Sequence, residues 1–380
     1  MNSNKLWLLL SGVLAILGVY AIGTVLVQGH AVLNSTNDVP WNIFVSNYVF
    51  FVVTSTGVCF VSAFGHVFGM ERYKLISQKA VYLSLILLIV GGMSILIDIG
   101  SPWLVFAMLI SPNFTSPMFW MFVLYSLYGL FLICELVYLR QGNHKKTKQA
   151  SCLAALTALI AHSVLGALFG MVQAKPLWFG PYLPIYFILS ALISGLAVLI
   201  AITVIAYRSS GKTMPSEIDG LMRDMAKILF YTLCAGLFCV FWKTAAGIYS
   251  GKEDAALLTH GPFSFSFWGV EICVGLALPA VMLASASARS PKQALWASLL
   301  VLVGLFPARF NLVIAGQLVR PWDGMGLAQY SVNAIEIMLT LGLFGFFGIL
   351  YFLGIKYLGL ENYLVPASQE SSSPGIGVSG

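Results

Sequence analysis

Charged side chains are scarce in this sequence. Only 9% of the 380 residues are Asp, Glu, Lys or Arg, and 59% are hydrophobic, whereas a soluble domain carries about 25% charged residues. A surface that faces water cannot be covered by so few charges. The composition therefore excludes an ordinary soluble protein and predicts one that lies within a lipid bilayer.

Clustered cysteines are also lacking. No two of the six cysteines have the CxxC spacing, and iron–sulfur and zinc frameworks need clustered thiolates. Haem held by two histidines needs a pair at matching depth in the membrane. His162 lies about 18 Å into its predicted span and His66 only about 5 Å. We therefore expect neither a bound metal nor a haem.

Long apolar runs are abundant. A run of about 20 residues is long enough to cross the hydrocarbon core of a bilayer, and such runs recur along the chain at 6–27, 42–69, 79–99, 117–140, 150–171, 183–207, 226–249, 263–288, 293–315 and 334–358. Runs of this kind must be helical in lipid, and the alternating segments of a barrel are lacking. The first run is too long for a signal peptide and has no cleavage site after it. The sequence predicts an all-α polytopic membrane protein with about ten transmembrane helices.

Lys and Arg gather on alternate connections, a pattern that sets membrane orientation. The opposite set of connections holds only Lys175, Lys252, Arg309 and Arg320. Fifteen of the 20 lie on one set, namely Lys5, Arg72, Lys74, Lys79, Arg140, Lys145, Lys146, Lys148, Arg208, Lys212, Arg223, Lys227, Arg289, Lys292 and Lys356. We expect both termini to be cytoplasmic. No basic run is interleaved with exposed aromatics, so we expect no nucleic-acid partner.

A few ionisable residues lie inside the predicted spans, where each predicts a function by default. His162 and Glu271 lie near the midplane, and Glu135 lies within about two turns of the cytoplasmic face. The others are Asp98, Glu336 and Arg309 at outer helix ends, His66 near the cytoplasmic interface, and Lys243. Lys243 can snorkel to the interface. An ion pair of Arg309 with Glu336 or Asp98 is the structural alternative to a functional role.

Several strings carry a family resemblance. Residues 41–69 read WNIFVSNYVFFVVTSTGVCFVSAFGHVFG, residues 98–102 read DIGSP, residues 113–118 read NFTSPM, and residues 162–178 read HSVLGALFGMVQAKPLW. In this order and spacing they resemble the NrfD/PsrC family, the membrane subunits of polysulfide reductase-like and related bacterial respiratory complexes.

The second half of the chain extends the resemblance to about residues 41–345. FWGVEICVGLALP with Glu271, then Arg309 and Asn311, and then Tyr330-Ser-Val-Asn with Glu336 are similar to the ten-helix branch that includes HybB and DsrP subunits. Two positions depart from the pattern. Ser101 stands where family members often have a basic residue. Tyr48 stands where polysulfide reductase-like members have a histidine beside the quinone.

The resemblance implies a quinone module made of two four-helix bundles with extra helices. It would carry no cofactor of its own, bind quinone (menaquinone or ubiquinone) as its substrate near the outer face, and dock a ferredoxin-like iron–sulfur subunit there. A further catalytic or cytochrome subunit and a bacterial inner-membrane location are also implied. The expected divisions are 1–40 (first helix and outer loop), 41–207 (first bundle with the quinone site and the following helix), 208–225 (cytoplasmic loop), 226–358 (second bundle and last helix) and 359–380 (disordered tail).

The resemblance also suggests site residues. We expect His162 and Tyr48 to contact the quinone ring, with Asp98 as a nearby proton acceptor and with Trp178 and Lys175 along the pocket wall. Imidazole suits proton transfer because its unperturbed pKa is about 6.5. The expected proton path holds Glu135, Glu271, Glu336 and Arg309.

Two other functions stay open at this point. Secondary transporters also use about ten spans and midplane carboxylates, although they are typically built from inverted repeats with paired broken helices. An inert anchor that binds partner subunits but no quinone is the second. Copurification of an iron–sulfur protein would favour the quinone module over the transporter.

Overall fold

The computed structural model describes residues 3–287, 289–320 and 326–360. This part of the chain holds ten helices that are long and apolar enough to cross a membrane. They are α1 (Ser3–Gln28), α2 (Ile43–His66), α3 (Ser77–Asp98), α4 (Pro117–Arg140), α5 (His144–Gly170), α6 (Tyr182–Ser210), α7 (Ser216–Tyr249), α8 (Phe265–Met282), α9 (Pro291–Leu318) and α10 (Ala334–Leu358). Apart from one β-bridge between Val319 and Leu327, the secondary structure described is helical. The prediction of an all-α polytopic membrane protein is confirmed.

Local sequence signals fix several helix ends. Asn333 caps α10 through a capping box with Glu336, an arrangement that pairs two otherwise unbonded backbone N–H groups. Gly211 ends α6 in the left-handed conformation, with φ of 67°. The largest difference from the sequence prediction is in α7, which begins at Ser216 rather than at 226. The helix therefore takes up most of the predicted loop 208–225. Residues 361–380 of the tail 359–380, which is predicted to be disordered, lie outside the described residues.

Eight of the ten helices form two closed rings. In the first, α2 packs on α3 and α5, and α4 packs on both of them. In the second, α6 packs on α7 and α9, and α8 packs on both of them. The helices α1 and α10 pack mainly on each other and border the first ring. The expected two four-helix bundles with extra helices are therefore present, and α6 closes the second bundle.

The two bundles meet along α2 and α6. A Cβ placed on Gly57 would lie 1.7 Å from the carbonyl oxygen of Ala191, and one on Gly195 would lie 2.1 Å from the carbonyl carbon of Gly57. Only glycine permits backbones to approach this closely, as is common where membrane helices cross. A similar contact joins α1 to α10 at Gly18 and Gly342. Small residues thus set the seam that holds the bundles together.

Two membrane faces can be distinguished by helix direction. We call the face at which α1 begins and α10 ends the basic face, because most Lys and Arg residues lie there. The other, at which α1 ends and α2 begins, is the opposite face.

Candidate functional site

A cluster of polar aromatic side chains lies inside the first bundle. His162 on α5 is completely buried, and its Nδ1 lies 3.2 Å from the Tyr125 hydroxyl oxygen. The ring of Tyr48 meets the ring of Tyr125 edge-on, with centroids 6.3 Å apart. The structure therefore brings His162 and Tyr48 together through Tyr125. Within the described residues, the His162 Nε2 atom has no hydrogen-bond partner.

Tyr125 was missed in the sequence analysis, although a signal for it exists. The buried residues in the middle of α4 are Tyr125, Tyr128, Leu132 and Glu135, which follow one another at spacings of three and four. This spacing places them on one face of a helix. A buried stripe that carries two tyrosines and a glutamate is unusual for a helix in contact with lipid.

Aromatic rings connect this cluster to the opposite face. The Phe187 ring lies 6.1 Å from the His162 ring and 5.9 Å from the Phe169 ring. Phe169 in turn meets Trp178 edge-on at 5.2 Å, and Trp178 stacks on Trp41 at 5.3 Å. The wall above His162 is therefore made of flat, rigid side chains.

The polar groups of Trp178 and Lys175 are engaged within the protein. The Trp178 indole N–H donates to the Leu312 carbonyl oxygen at 2.7 Å. The Lys175 ammonium donates to the carbonyl oxygens of Gln317 and Val319 at 2.7 and 2.9 Å. Both contacts run from the α5–α6 connection to the end of α9, so these two residues join the bundles at the opposite face. Their role in quinone binding stays a prediction.

Arg309 lies where the bundles meet. Its guanidinium donates to the Ser190 hydroxyl at 2.7 Å and lies 5.4 Å from the Phe187 ring, which also contacts His162. Arg309 also lines the same cavity as Glu271. These contacts do not include Glu336 or Asp98. The ion pair that was the structural alternative is therefore not formed among the described residues.

Glu271 lines a cavity in the second bundle. Asn311 donates to a Glu271 carboxylate oxygen at 3.1 Å and accepts from Ser266 at 2.9 Å. The cavity has about 80 Å³ of room, enough for a few waters. Its wall also holds Tyr182 and Lys243, whose ammonium lies 5.2 Å from the Tyr182 ring.

The backbone around Glu271 is distorted. Phe265–Ala277 in α8 and Asn311–Ala315 in α9 are both π-helical. Such wider turns are frequent at functional sites. Here they bring Glu271 and Asn311 from the two helices into contact.

Glu135 lies in the half of the first bundle nearer the basic face. It is completely buried, and neither carboxylate oxygen has a hydrogen-bond partner among the described residues. Ser62 and Ser151 lie beside it. A buried carboxyl group without a partner is costly unless water or a proton satisfies it.

Asp98 belongs to a different neighbourhood from His162. It is the last residue of α3 and lies near His30, Asn42 and Glu336 at the opposite face. Asn42 caps the start of α2, six residues before Tyr48, which corresponds to about 9 Å along a helix. Asp98 and Glu336 are therefore brought together, while Asp98 and His162 lie at different depths.

Metal-ligating groups are not clustered in the described ranges. No three His, Cys, Asp or Glu side chains there lie close enough to hold a metal ion. The expectation that the chain carries no metal or haem stays a prediction.

Known proteins match this chain over most of its length. The family described as "Polysulphide reductase, NrfD" matches residues 31–321. A selenate reductase subunit of Mesobacillus selenatarsenatis is 23% identical, with 98% of each chain covered. The Hdr-like menaquinol oxidoreductase integral membrane subunit of Archaeoglobus fulgidus is 28% identical, with 86% of each chain covered.

Proposed function

Because the chain belongs to the polysulphide reductase NrfD family, we propose that it is the quinone-interacting membrane subunit of a respiratory oxidoreductase complex. One similar protein carries menaquinol oxidoreductase in its name, and another is part of a selenate reductase. Both belong to larger enzymes, which supports a role for this chain as one subunit among several. Electrons would pass between the quinol and an iron–sulfur partner.

The observation that carries the proposal is the buried imidazole of His162. Its Nε2 atom has no partner among the described residues, and the rings of Tyr125 and Phe187 lie beside the imidazole. An unpaired buried nitrogen is costly unless a ligand or water completes it. A quinone ring carries an oxygen at each end, so it can take hydrogen bonds from partners at two depths. His162 and Tyr48 would bind one end, and Asp98 would accept a proton at the other.

Trp178 and Lys175 would close this pocket rather than bind the ring oxygens. Their polar groups already bond to backbone carbonyls of α9 and the residue after it. With Trp41, which stacks on Trp178, they would separate the quinone ring from the opposite face. This placement excludes water from the ring, which strengthens the hydrogen bonds made there.

Proton movement would use buried groups in both bundles. Glu135 would take up protons from the basic face, and Arg309 would connect the neighbourhood of His162 with that of Glu271. The cavity beside Glu271 has room for water, which is what proton transfer over several ångströms requires. Glu336 would serve the opposite face together with Asp98.

Partners and orientation complete the proposal. The basic face would be cytoplasmic because Lys and Arg collect there, which places both termini in the cytoplasm of a bacterium. An iron–sulfur ferredoxin-like subunit would dock at the opposite, outer face near Trp178, and a further catalytic or cytochrome subunit would complete the complex. The chain is a multi-pass membrane protein, and the inner membrane is the location proposed.

The distorted helices around Glu271 favour a second candidate, a secondary transporter. Broken helices that meet near the midplane are typical of transporter sites, and the π-helical segments of α8 and α9 are local departures from regular helix in a similar place. Against this, the bundles here are closed rings, and the similar proteins named above are reductase and oxidoreductase subunits.

Copurification separates the two candidates. A tagged chain, extracted in mild detergent from its native membrane, should bring down an iron–sulfur protein and a catalytic subunit in stoichiometric amounts. The isolated assembly should oxidise a soluble menaquinol analogue when an artificial electron acceptor is present. A chain that purifies alone and instead accumulates a solute in vesicles would support the transporter.

A further inference from the structure

Three ionisable groups at the opposite face form a series of increasing exposure. Glu336 is completely buried, Asp98 is half-buried and His30 is exposed. They come from α10, α3 and the turn that follows α1, so three separate segments bring them together. Such a series leads from the interior of the protein to water.

The two carboxylates lie at opposite ends of their helices, Glu336 near the N-terminus of α10 and Asp98 at the C-terminus of α3. Glu336 is in the first turn of α10, where its Oε2 accepts the Asn333 backbone N–H at 2.8 Å. The positive end of the helix dipole stabilises a negative charge there. Asp98 is the last residue of α3, where the negative end of the dipole opposes a negative charge. Of the two, Asp98 is therefore the better proton carrier, while Glu336 is held in place by its backbone hydrogen bonds.

His30 stands beside Asp98 on the water side. His30 is close to Asp98, and a Cβ on Gly100 would lie only 3.0 Å from the His30 Nε2 atom. Gly100 has a φ of 75°, a value that glycine adopts readily. The tight turn after Asp98 thus lets the His30 imidazole lie against Gly100, two residues along the chain from Asp98.

Two polar atoms in this neighbourhood lack partners in the described part of the chain. They are Asn42 Nδ2 and Glu336 Oε1, and both residues are at most 1% exposed. The Asn42 side chain faces Asp98. Buried donors and acceptors are nearly always paired, with ordered water where protein groups are lacking. The Asn42 amide and the Glu336 carboxyl group therefore each keep one polar atom that a water molecule can satisfy.

Among the described residues, Tyr330 is the remaining titratable group that faces this cluster. Its hydroxyl oxygen accepts the Ile43 backbone N–H at 3.0 Å. Burial, with the Glu336 carboxylate as a lesser cause, raises the pKa of Tyr330. The hydroxyl therefore keeps its proton at neutral pH and serves as a fixed hydrogen-bonding group.

We propose that Asp98 and His30, beside the hydrogen-bonded Glu336, form the site at which the proton of the nearer ring oxygen exchanges with outside water. The inference rests on the proposed quinone function. When a quinol is oxidised, two electrons pass to the oxidised iron–sulfur partner and the ring oxygens release two protons. His162 accepts the proton at one end of the ring. Asp98 accepts the proton at the other end and passes it through water to His30, which releases it outside. In the direction of quinone reduction the same groups run in reverse.

The experiment compares His30 variants in the assembled complex. His30→Gln keeps a polar side chain over Gly100 but cannot carry a proton. Its kcat for oxidation of a menaquinol analogue should fall by about 100-fold, the lower end of what a positioned proton acceptor contributes. KM should stay unchanged because His30 does not touch the ring. His260→Ala is the matched control, since His260 is also exposed on the opposite face but belongs to the second bundle.

Chemical rescue gives a second readout that packing cannot mimic. External imidazole should restore kcat in His30→Ala, which leaves space for it, and have no effect on the His260→Ala complex. Both His30 variants with kcat within about twofold of wild type would overturn the inference while the quinone function stands, because that margin is far below a proton acceptor's contribution. A wild-type complex that does not oxidise quinol at all would instead refute the proposed function itself.

Discussion

Replacing His162 with alanine should slow quinol oxidation by about 10²–10⁴-fold, the usual contribution of a positioned proton acceptor. At about 1.36 kcal/mol per tenfold change, the activation barrier would rise by about 2.7–5.4 kcal/mol. The structure supports a direct role because the buried Nε2 atom of His162 has no partner among the described residues.

The hydrogen bond between His162 and Tyr125 sets a smaller scale for comparison. A bond of this kind contributes about 0.5–1.5 kcal/mol, so Tyr125→Phe should slow turnover by about tenfold or less. A loss in His162→Ala that greatly exceeds the loss in Tyr125→Phe would therefore come from the imidazole itself rather than from its orientation by Tyr125.

The assay measures turnover per mole of assembled complex in membranes, with immunoblots of the partner subunits to quantify assembly. His144→Ala is the matched control, because His144 begins the same helix but is exposed at the basic face. Near-normal turnover in a fully assembled His162→Ala complex would refute the role given to this residue. A loss of assembled complex at unchanged turnover per complex would show a packing role instead.

Three other predictions follow from the fold. Gly195→Ala should lower the melting temperature and the yield of the complex, because its Cβ would meet the Gly57 backbone and such overpacking costs about 1–3 kcal/mol. Gly23→Ala should leave the melting temperature unchanged, since no atom lies within 4 Å of its Cβ. Equal melting temperatures of the two variants would contradict the close contact of α2 and α6. Single cysteines at Lys145 and Glu253 in a cysteine-free background should label from opposite sides of the membrane, with 253 outside, and labelling from one side would refute the topology. The purified chain without partners should show no Soret band, and a stoichiometric haem spectrum would show that histidine ligands had been overlooked.

Helix number and extent were predictable because they depend on local sequence. A membrane-length apolar run specifies a helix wherever it lies in the chain. The start of α7 was misjudged because Ser216 and the acidic residues Glu217 and Asp219 are polar, and the sequence prediction began the span only where the apolar run begins. Those acidic residues favour a helix N-terminus, which is a signal that hydrophobicity does not contain.

Contacts between side chains of different helices were harder to predict, because they depend on which helices pack together. Asp98 meets His30 and Glu336 only because α1 and α10 pack beside the first bundle. Trp178 and Lys175 could be placed near the opposite face from sequence, but their bonds to Leu312, Gln317 and Val319 depend on the contact between bundles. That contact is set by glycines, whose partners are not visible in the sequence.

The proposed function depends on electron exchange between a quinol bound to this chain and an iron–sulfur partner. The most direct measurement is electron paramagnetic resonance of the purified, oxidised complex before and after addition of a menaquinol analogue. The quinol should reduce the partner's clusters in the wild-type complex and should reduce them more slowly in the His162→Ala complex. Clusters that stay oxidised with quinol, although a soluble chemical reductant reduces them, would contradict the account.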